Sequence, residues 1–193
     1  PAIVRMATME GAFPMTVEDD SIQFFVPRRR ALLPIEGIHV SRSLAKRIRK
    51  NQFEIKFDES FEDVMRGCLR PEDNWISEPI IRTYTEIHAQ GWGHCCECWQ
   101  DGELVGGVYG IAIGAVFSAE SMFHRRTDAS KVALWAMVER CRELGFQIFD
   151  AQVMNPHLAS LGAYEISQAS YLRRLHKHSN VYTPWSLRIA TPG

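Results

Sequence analysis

No apolar run in these 193 residues approaches the ~18 needed to cross a bilayer, so the chain is not expected to span a membrane. The opening segment PAIVRMATMEG lacks the charged head and apolar stretch of a signal peptide. Cysteine is sparse. Five of them, an odd number, argue for reduced thiols in a cytoplasmic setting rather than a disulfide framework. No G-x-S-x-G elbow occurs, and the seven histidines are scattered, so no hydrolase triad is indicated. Gly106, Gly107 and Gly110 fall within a strand-like run rather than at a strand-to-helix turn, which argues against a phosphate-cradling loop. Cys95, Cys96 and Cys98 are close in sequence, but strand alternation turns Cys95 away from the other two. Zinc requires four converging ligands, so no metal is expected.

Net charge is also nearly absent, at −1, but it is unevenly spread. Residues 1–26 carry −3, residues 27–50 carry +7 and residues 51–193 carry −5. A neutral chain with one concentrated basic block suits a local polyanion contact better than general coating of nucleic acid. In HVSRSLAKRIRK, Arg42, Lys46, Arg49 and Lys50 fall at i, i+4, i+7 and i+8, on one face of a helix. Leu44 and Ile48 lie on another face. Such a cationic row tracks phosphates without reading bases. Arg28, Arg29 and Arg30 are expected to extend that surface.

The 46% hydrophobic content supports one substantial core, or a core domain with a small appendage. The first thirty or so residues read as an incomplete small unit, with a helical scrap and a short strand at Ile22–Val26 after the acidic turn at Glu18–Asp20. Pro27 and Pro34 bracket another extended piece. Ser41 caps a helix running to about Lys50, and Phe53, Ile55 and Phe57 alternate with polar residues as a half-buried strand. Helices are expected at Ser60–Leu69, from Ser77-Glu78-Pro79 to Gly91, and at Asp128–Leu144. Strands are expected at His94–Gln100 and Leu104–Ile113, joined by the hairpin signal Asp101-Gly102, and at Ala115–Ser121 and Ile148–Val153. Shorter helices should follow. This order fits an α+β domain of acetyltransferase-like (GNAT) type over residues 35–193, with residues 1–34 as the small N-terminal unit.

Two segments place carboxylates where a charge needs a partner or a task. In FQIFDAQVMN, strand geometry puts Asp150 and Gln152 on one face, roughly 6.5–7 Å apart. In AVFSAESMF, Glu120 follows an apolar stretch. Each is equally readable as structural: Asp150 as the cap of a following turn, Glu120 as half of an ion pair. Two carboxylates in one cleft could instead hold and deprotonate an amine. His157, in NPHLAS, reads as a helix-start hydrogen-bonder rather than a catalyst.

The blocks GAFPM, HVSRSL, NWIS, ELVGGVYGIAIG, ESMFHRRTDASKVAL and FDAQVMNPHLASLGAYEI, in that order, closely resemble the leucyl/phenylalanyl-tRNA–protein transferases. The resemblance runs from about Gly11 to about Leu175; the family's usual N-terminal extension is mostly missing from this sequence. It implies an acetyltransferase-like domain that moves leucine or phenylalanine from aminoacyl-tRNA to proteins beginning with arginine or lysine, marking them for degradation. By position, Asp150 and Gln152 match the family's strand pair that activates the acceptor amine, and Glu120 its acceptor-side glutamate. Trp75 and Tyr84 match donor-site aromatics, and Arg42, Lys46, Arg49 and Lys50 fall in the tRNA-binding cluster. The sequence departs from the family at several donor-side positions. Met15 replaces a tryptophan, Ala151 a cysteine, Ala119 a glycine, and Met137 and Cys141 phenylalanines. The resemblance implies a cytoplasmic, monomeric enzyme, without metal or cofactor because the ester is already activated. An acetyl-CoA-dependent N-acetyltransferase is the alternative, but HRRTDASK lacks the glycines of a pyrophosphate loop. A non-catalytic tRNA- or peptide-binding relative is a third reading.

Overall fold

A computed structural model describes residues 1–17, 21–70 and 75–185. The chain begins with α1 (Ala2–Met9) and a two-stranded antiparallel ribbon, β1 (Phe13–Thr16) with β2 (Ile22–Phe25). The acidic turn expected at Glu18–Asp20 lies outside the described residues. Next come β3 (Arg29–Leu33), α2 (Arg42–Arg49), β4 (Glu54–Phe57), α3 (Phe61–Gly67) and α4 (Glu78–Ala89). Three long antiparallel strands follow: β5 (Gly93–Gln100), β6 (Glu103–Ile113) and β7 (Val116–His124). The chain continues through α5 (Ala129–Glu143), β8 (Ile148–Gln152), α6 (Pro156–Ser160), β9 (Tyr164–Ser167) and α7 (Gln168–His178).

Seven strands form one mixed sheet in the order β4-β5-β6-β7-β8-β3-β9, an α+β architecture. Only the β7–β8 pairing is parallel. Alternation along the strands divides the interior. Leu33, Cys96, Cys98, Val108, Phe117 and Phe149 face α5 and α2, whereas Cys95, Tyr109 and Ile111 face α3 and α4. Leu32, Val116 and Ile148 meet Tyr171 and Leu175 of α7. Cys95 does point away from Cys96 and Cys98, as strand periodicity requires.

Local chemistry sets several boundaries. The Ser41 hydroxyl accepts the Leu44 N–H at 3.3 Å and starts α2, whose Leu44 is buried while Arg42, Lys46, Arg49 and Lys50 are exposed. Asp101 and Gly102 both adopt positive φ in the tight β5–β6 turn. The start of α6 departs from expectation. Asn155, not His157, caps it by accepting the Leu158 N–H at 2.8 Å, since its short amide reaches the helix entrance.

Two further differences concern topology. The extended piece between Pro27 and Pro34 is β3, which is hydrogen-bonded between β8 and β9 inside the large sheet. Residues 29–33 of the expected N-terminal unit thus take part in the large sheet. Tyr164–Ser167, where only helices were expected, forms the short edge strand β9. Its Tyr-Glu-Ile-Ser alternation spans only four largely exposed residues, with Ile166 alone packed against the core, which is too short to announce a strand.

Gly110 of β6 is where the sheet approaches itself most tightly. A Cβ there would lie 2.3 Å from the Ser118 carbonyl oxygen and 2.8 Å from the Phe117 ring. Backbone cannot retreat from that contact without breaking the β6–β7 ladder. Gly110→Ala should cost about 1–3 kcal/mol, read as a lower denaturation midpoint. An unchanged midpoint would show that the ladder is looser than described.

Candidate active site

Pairing between β7 and β8 lasts for three residues, Val116–Ser118 against Ile148–Asp150, and then the strands part. Each carries an irregularity at that point. Across β6 and β7, Tyr109 opposes Ser121 and Gly110 opposes Ala119, which leaves Glu120 as the extra residue of a bulge. Across β3 and β8, Ala31 opposes Gln152 and Leu32 opposes Asp150, which leaves Ala151 as the extra residue. Gln152 adopts a left-handed backbone, φ 63°. A non-glycine residue holds that conformation only where its surroundings compensate for it.

Asp150 supplies the compensation. Its Oδ1 accepts the Gln152 backbone N–H at 2.9 Å and the Arg30 Nε–H at 2.8 Å. Its Oδ2 accepts from Arg30 Nη2 at 2.5 Å, the Tyr171 hydroxyl at 2.7 Å and the Ser118 hydroxyl at 3.3 Å. Asp150 is fully buried and Arg30 nearly so. Burial opposes the charge of Arg30, but the attraction and hydrogen bonds of Asp150 outweigh it and hold the guanidinium above its usual range. The expectation that Arg30 joins Arg28 and Arg29 on a basic surface is thus corrected. Arg28 and Arg29 are exposed, whereas strand alternation turns Arg30 inward, between the rings of Tyr171 and Phe13.

Beyond the bulges, the Gln152 side-chain amide donates to Glu120 Oε2 at 2.8 Å. Both residues line a cavity of about 220 Å³ in the gap between the strands. Its wall also includes Trp75, Val108, Ala119, Ser121, Met122, Ala151, Asn155, Leu158 and Arg70. Partial removal from water raises the Glu120 carboxyl to about 7, assisted by the negative Asp150. Gln152, the nearby Tyr84 hydroxyl and Arg30 pull the other way without cancelling it. The Tyr84 hydroxyl lies close enough to favour the charged glutamate, yet it and the Tyr109 hydroxyl are buried without a well-formed hydrogen bond.

The expected site residues therefore separate. Glu120, Gln152, Trp75, Ala119 and Ala151 meet at the cavity, while Asp150 lies behind it. Tyr84 is fully buried beside Glu120, and Met15 sits half-buried on β1. Met137 and Cys141 are fully buried in the main core, which reaches the cavity through Val108, Met122 and Leu158. Sequence reasoning missed the supporting residues Arg30, Tyr171 and Ser118. A larger apolar groove of about 500 Å³ lies beyond Tyr84, lined by Val4, Ile22, Phe24 and Ile80, with no ionisable side chain other than that tyrosine among the described residues. The smaller cavity is the one that brings Glu120 and Gln152 together.

Residues 32–176 match the sequence model of leucyl/phenylalanyl-tRNA protein transferase. The chain belongs to that family. Its relatives named leucyl/phenylalanyl-tRNA–protein transferase include one from Herpetosiphon aurantiacus, 46% identical over 178 residues, covering 92% of this chain and 93% of the relative. Another, from Paramagnetospirillum magneticum, is 47% identical over 196 residues, with 98% and 93% coverage. Among solved structures, the C-terminal domain of a putative lysylphosphatidylglycerol synthetase from Agrobacterium fabrum gives a TM-score of 0.49 at 10% identity, covering 94% of this chain and 71% of that one. A GCN5-related N-acetyltransferase-like protein from Streptococcus suis gives 0.39 at 16% identity, with 85% and 65% coverage. The family is one of transferases, so the cavity is read for group transfer. No helix among the described residues is long and apolar enough to cross a membrane.

The raised Glu120 carboxyl has a consequence for stability. From about 4.5, its ordinary value, to about 7, the folded chain retains a proton that the unfolded chain has released. Stability contributed by this group therefore falls as pH rises through that window and levels off above it. Glu120→Gln should flatten that part of the profile when denaturation midpoints are measured from pH 4.5 to 8. Identical profiles for both proteins would place the carboxyl in ordinary solvent.

Proposed function

We propose that this chain moves a bulky apolar aminoacyl group from aminoacyl-tRNA to the N-terminal amine of an acceptor polypeptide. The observation that carries the reading is the Glu120–Gln152 pair at the cavity, in a chain whose family is that of the tRNA–protein transferases. An incoming N-terminal ammonium is attracted by Glu120, which can also take its proton near neutral pH. The freed amine attacks the ester carbonyl, the carbon–oxygen bond to the terminal ribose breaks, and the ribose oxygen leaves with a proton. Gln152 spends one amide N–H on Glu120, leaving its carbonyl oxygen to orient the amine. Asp150, enclosed by Arg30 and Tyr171, serves as an anchor rather than as the base.

The apolar wall of Val108, Met122 and Leu158, continuous with the core around Met137 and Cys141, suits leucine, phenylalanine or methionine as donor. Discrimination by a methylene is worth only ~1–3 kcal/mol, so donors should overlap. Acceptors beginning with arginine or lysine, a product that marks proteins for degradation, a cytoplasmic location and a monomeric enzyme complete the proposal. Acetyl-CoA fits less well. Asp128, the N-cap of α5, puts a carboxylate where a pyrophosphate would bind, held by Arg47 at 2.7 Å and Lys131 at 3.2 Å.

Two measurements test this reading. Glu120→Ala should remain folded and lose about 10²–10⁴-fold in transfer rate from labelled aminoacyl-tRNA to peptide. Near-normal turnover would remove Glu120 from the mechanism. If the exposed Arg42, Lys46, Arg49 and Lys50 contact phosphates, the log–log dependence of binding on salt should have a slope of about −3 to −4. Neutralising one should reduce its magnitude by roughly 0.7–0.9, equally for different tRNAs. Parental behaviour of Arg42→Ala and Lys46→Ala across the salt series would exclude α2 as the tRNA surface.

A further inference from the structure

We propose that Arg30 is a positioning residue for aminoacyl transfer: by clamping Asp150 it fixes the β8 bulge that aims Gln152 at Glu120. The role rests on the transfer reading above. Arg30 touches neither the cavity nor either residue that lines it as a reacting group. Its effect passes through one carboxylate.

The geometry defines the linkage. Arg30 engages Asp150 with both arms of its guanidinium, Nε to Oδ1 at 2.8 Å and Nη2 to Oδ2 at 2.5 Å. That bidentate fork fixes the carboxylate plane, which a single contact would leave free to rotate. Oδ1 is shared with the backbone N–H of Gln152, so the orientation of the carboxylate sets the left-handed turn at that residue. The turn in turn directs the Gln152 amide to Glu120 at 2.8 Å. Release of Asp150 would remove the hydrogen bond that pays for a strained backbone, and the amide would lose its aim.

Arg30 also reaches outward. Its third nitrogen, Nη1, donates to the Gly11 carbonyl at 2.8 Å, and its guanidinium stacks 4.4 Å from the Tyr171 ring and 5.4 Å from Phe13. Gly11 and Phe13 belong to the segment where α1 leads into β1, and Tyr171 to α7. One buried side chain therefore ties the start of β1, the helix α7 and the strand β8 to the reacting pair. A cation used only to neutralise Asp150 would not need this fork or these three neighbours.

The test is steady-state transfer from leucyl-tRNA to a peptide beginning with arginine, with thermal melting to confirm folding and rates corrected for the folded fraction. Arg30→Lys keeps the charge but loses the fork. It should lower kcat on the order of 10- to 10²-fold, because misplacement by about an ångström costs that much, while KM for both substrates moves by less than about threefold. Arg30→Gln should be lower still, and the conservative lysine should partly rescue it. Tyr171→Phe, which removes one 2.7 Å bond to Asp150 and keeps the stacked ring, should lower kcat several-fold without altering KM. This variant carries the test if Arg30→Lys does not fold. Parental kcat in folded Arg30→Lys, or in Tyr171→Phe where the lysine variant is unfolded, overturns the positioning role alone. A parent protein inactive with every aminoacyl-tRNA overturns the transfer reading and this role with it.

Discussion

The ion pair between Arg30 and Asp150 is the constraint from which the site follows. Removing each ion from water costs several kcal/mol, and attraction offsets that cost only where geometry is good and the remaining polar atoms are satisfied. Here both conditions hold. Asp150 accepts five hydrogen bonds and Arg30 spends all three nitrogens. Such a pair specifies one arrangement of β3, β8, α7 and the start of β1, because any other leaves a charge unpaired in the interior. Stability is a weak reason to retain it, since apolar replacements often do as well. Setting the position of Gln152 is a stronger one.

What the pair organises is a gap. β7 and β8 run parallel for three residues and then separate, and a bulge on each side falls where they part. Bulges turn side chains out of the regular pleat, and these two bring Glu120 and Gln152 together at a cavity instead of hiding them in the sheet. The two carboxylates then take different roles through environment alone. Asp150 is fully enclosed by donors, while Glu120, partly withdrawn from water with one amide donor, has its carboxyl raised to about 7, where the proposed mechanism uses it to take a proton. The basic face of α2 lies on the α5 side of the sheet, exposed and available to a polyanion.

Most of the elements were legible because they depend on short-range chemistry. The Ser41 cap, the Asp101-Gly102 turn, the long helix α5 and the alternation through β4 each state themselves within a few residues. β3 was legible only as an extended piece between Pro27 and Pro34, because its place between β8 and β9 is set by pairing with strands more than a hundred residues away. Arg30 was hidden for a related reason. Within Arg28-Arg29-Arg30 nothing local distinguishes the one that faces inward, although strand parity with the buried Leu32 would have marked it. Asp150, Gln152 and Glu120 were picked out as charges or amides in apolar strands, and family resemblance supplied their grouping. Neither route could separate the anchor from the proton acceptor. That distinction rests on two bulges and a buried fork, which periodicity assumes away.

The claim that this cavity performs aminolysis is tested most directly by the identity of the product. Purified protein is incubated with leucyl-tRNA and a peptide that begins with arginine, has a free α-amine and carries an internal lysine, and the peptide is sequenced by fragmentation mass spectrometry. The account predicts one leucyl residue on the α-amine, with one uncharged tRNA released for each peptide modified. Free leucine with unmodified peptide, or leucine on the lysine side chain alone, would contradict it.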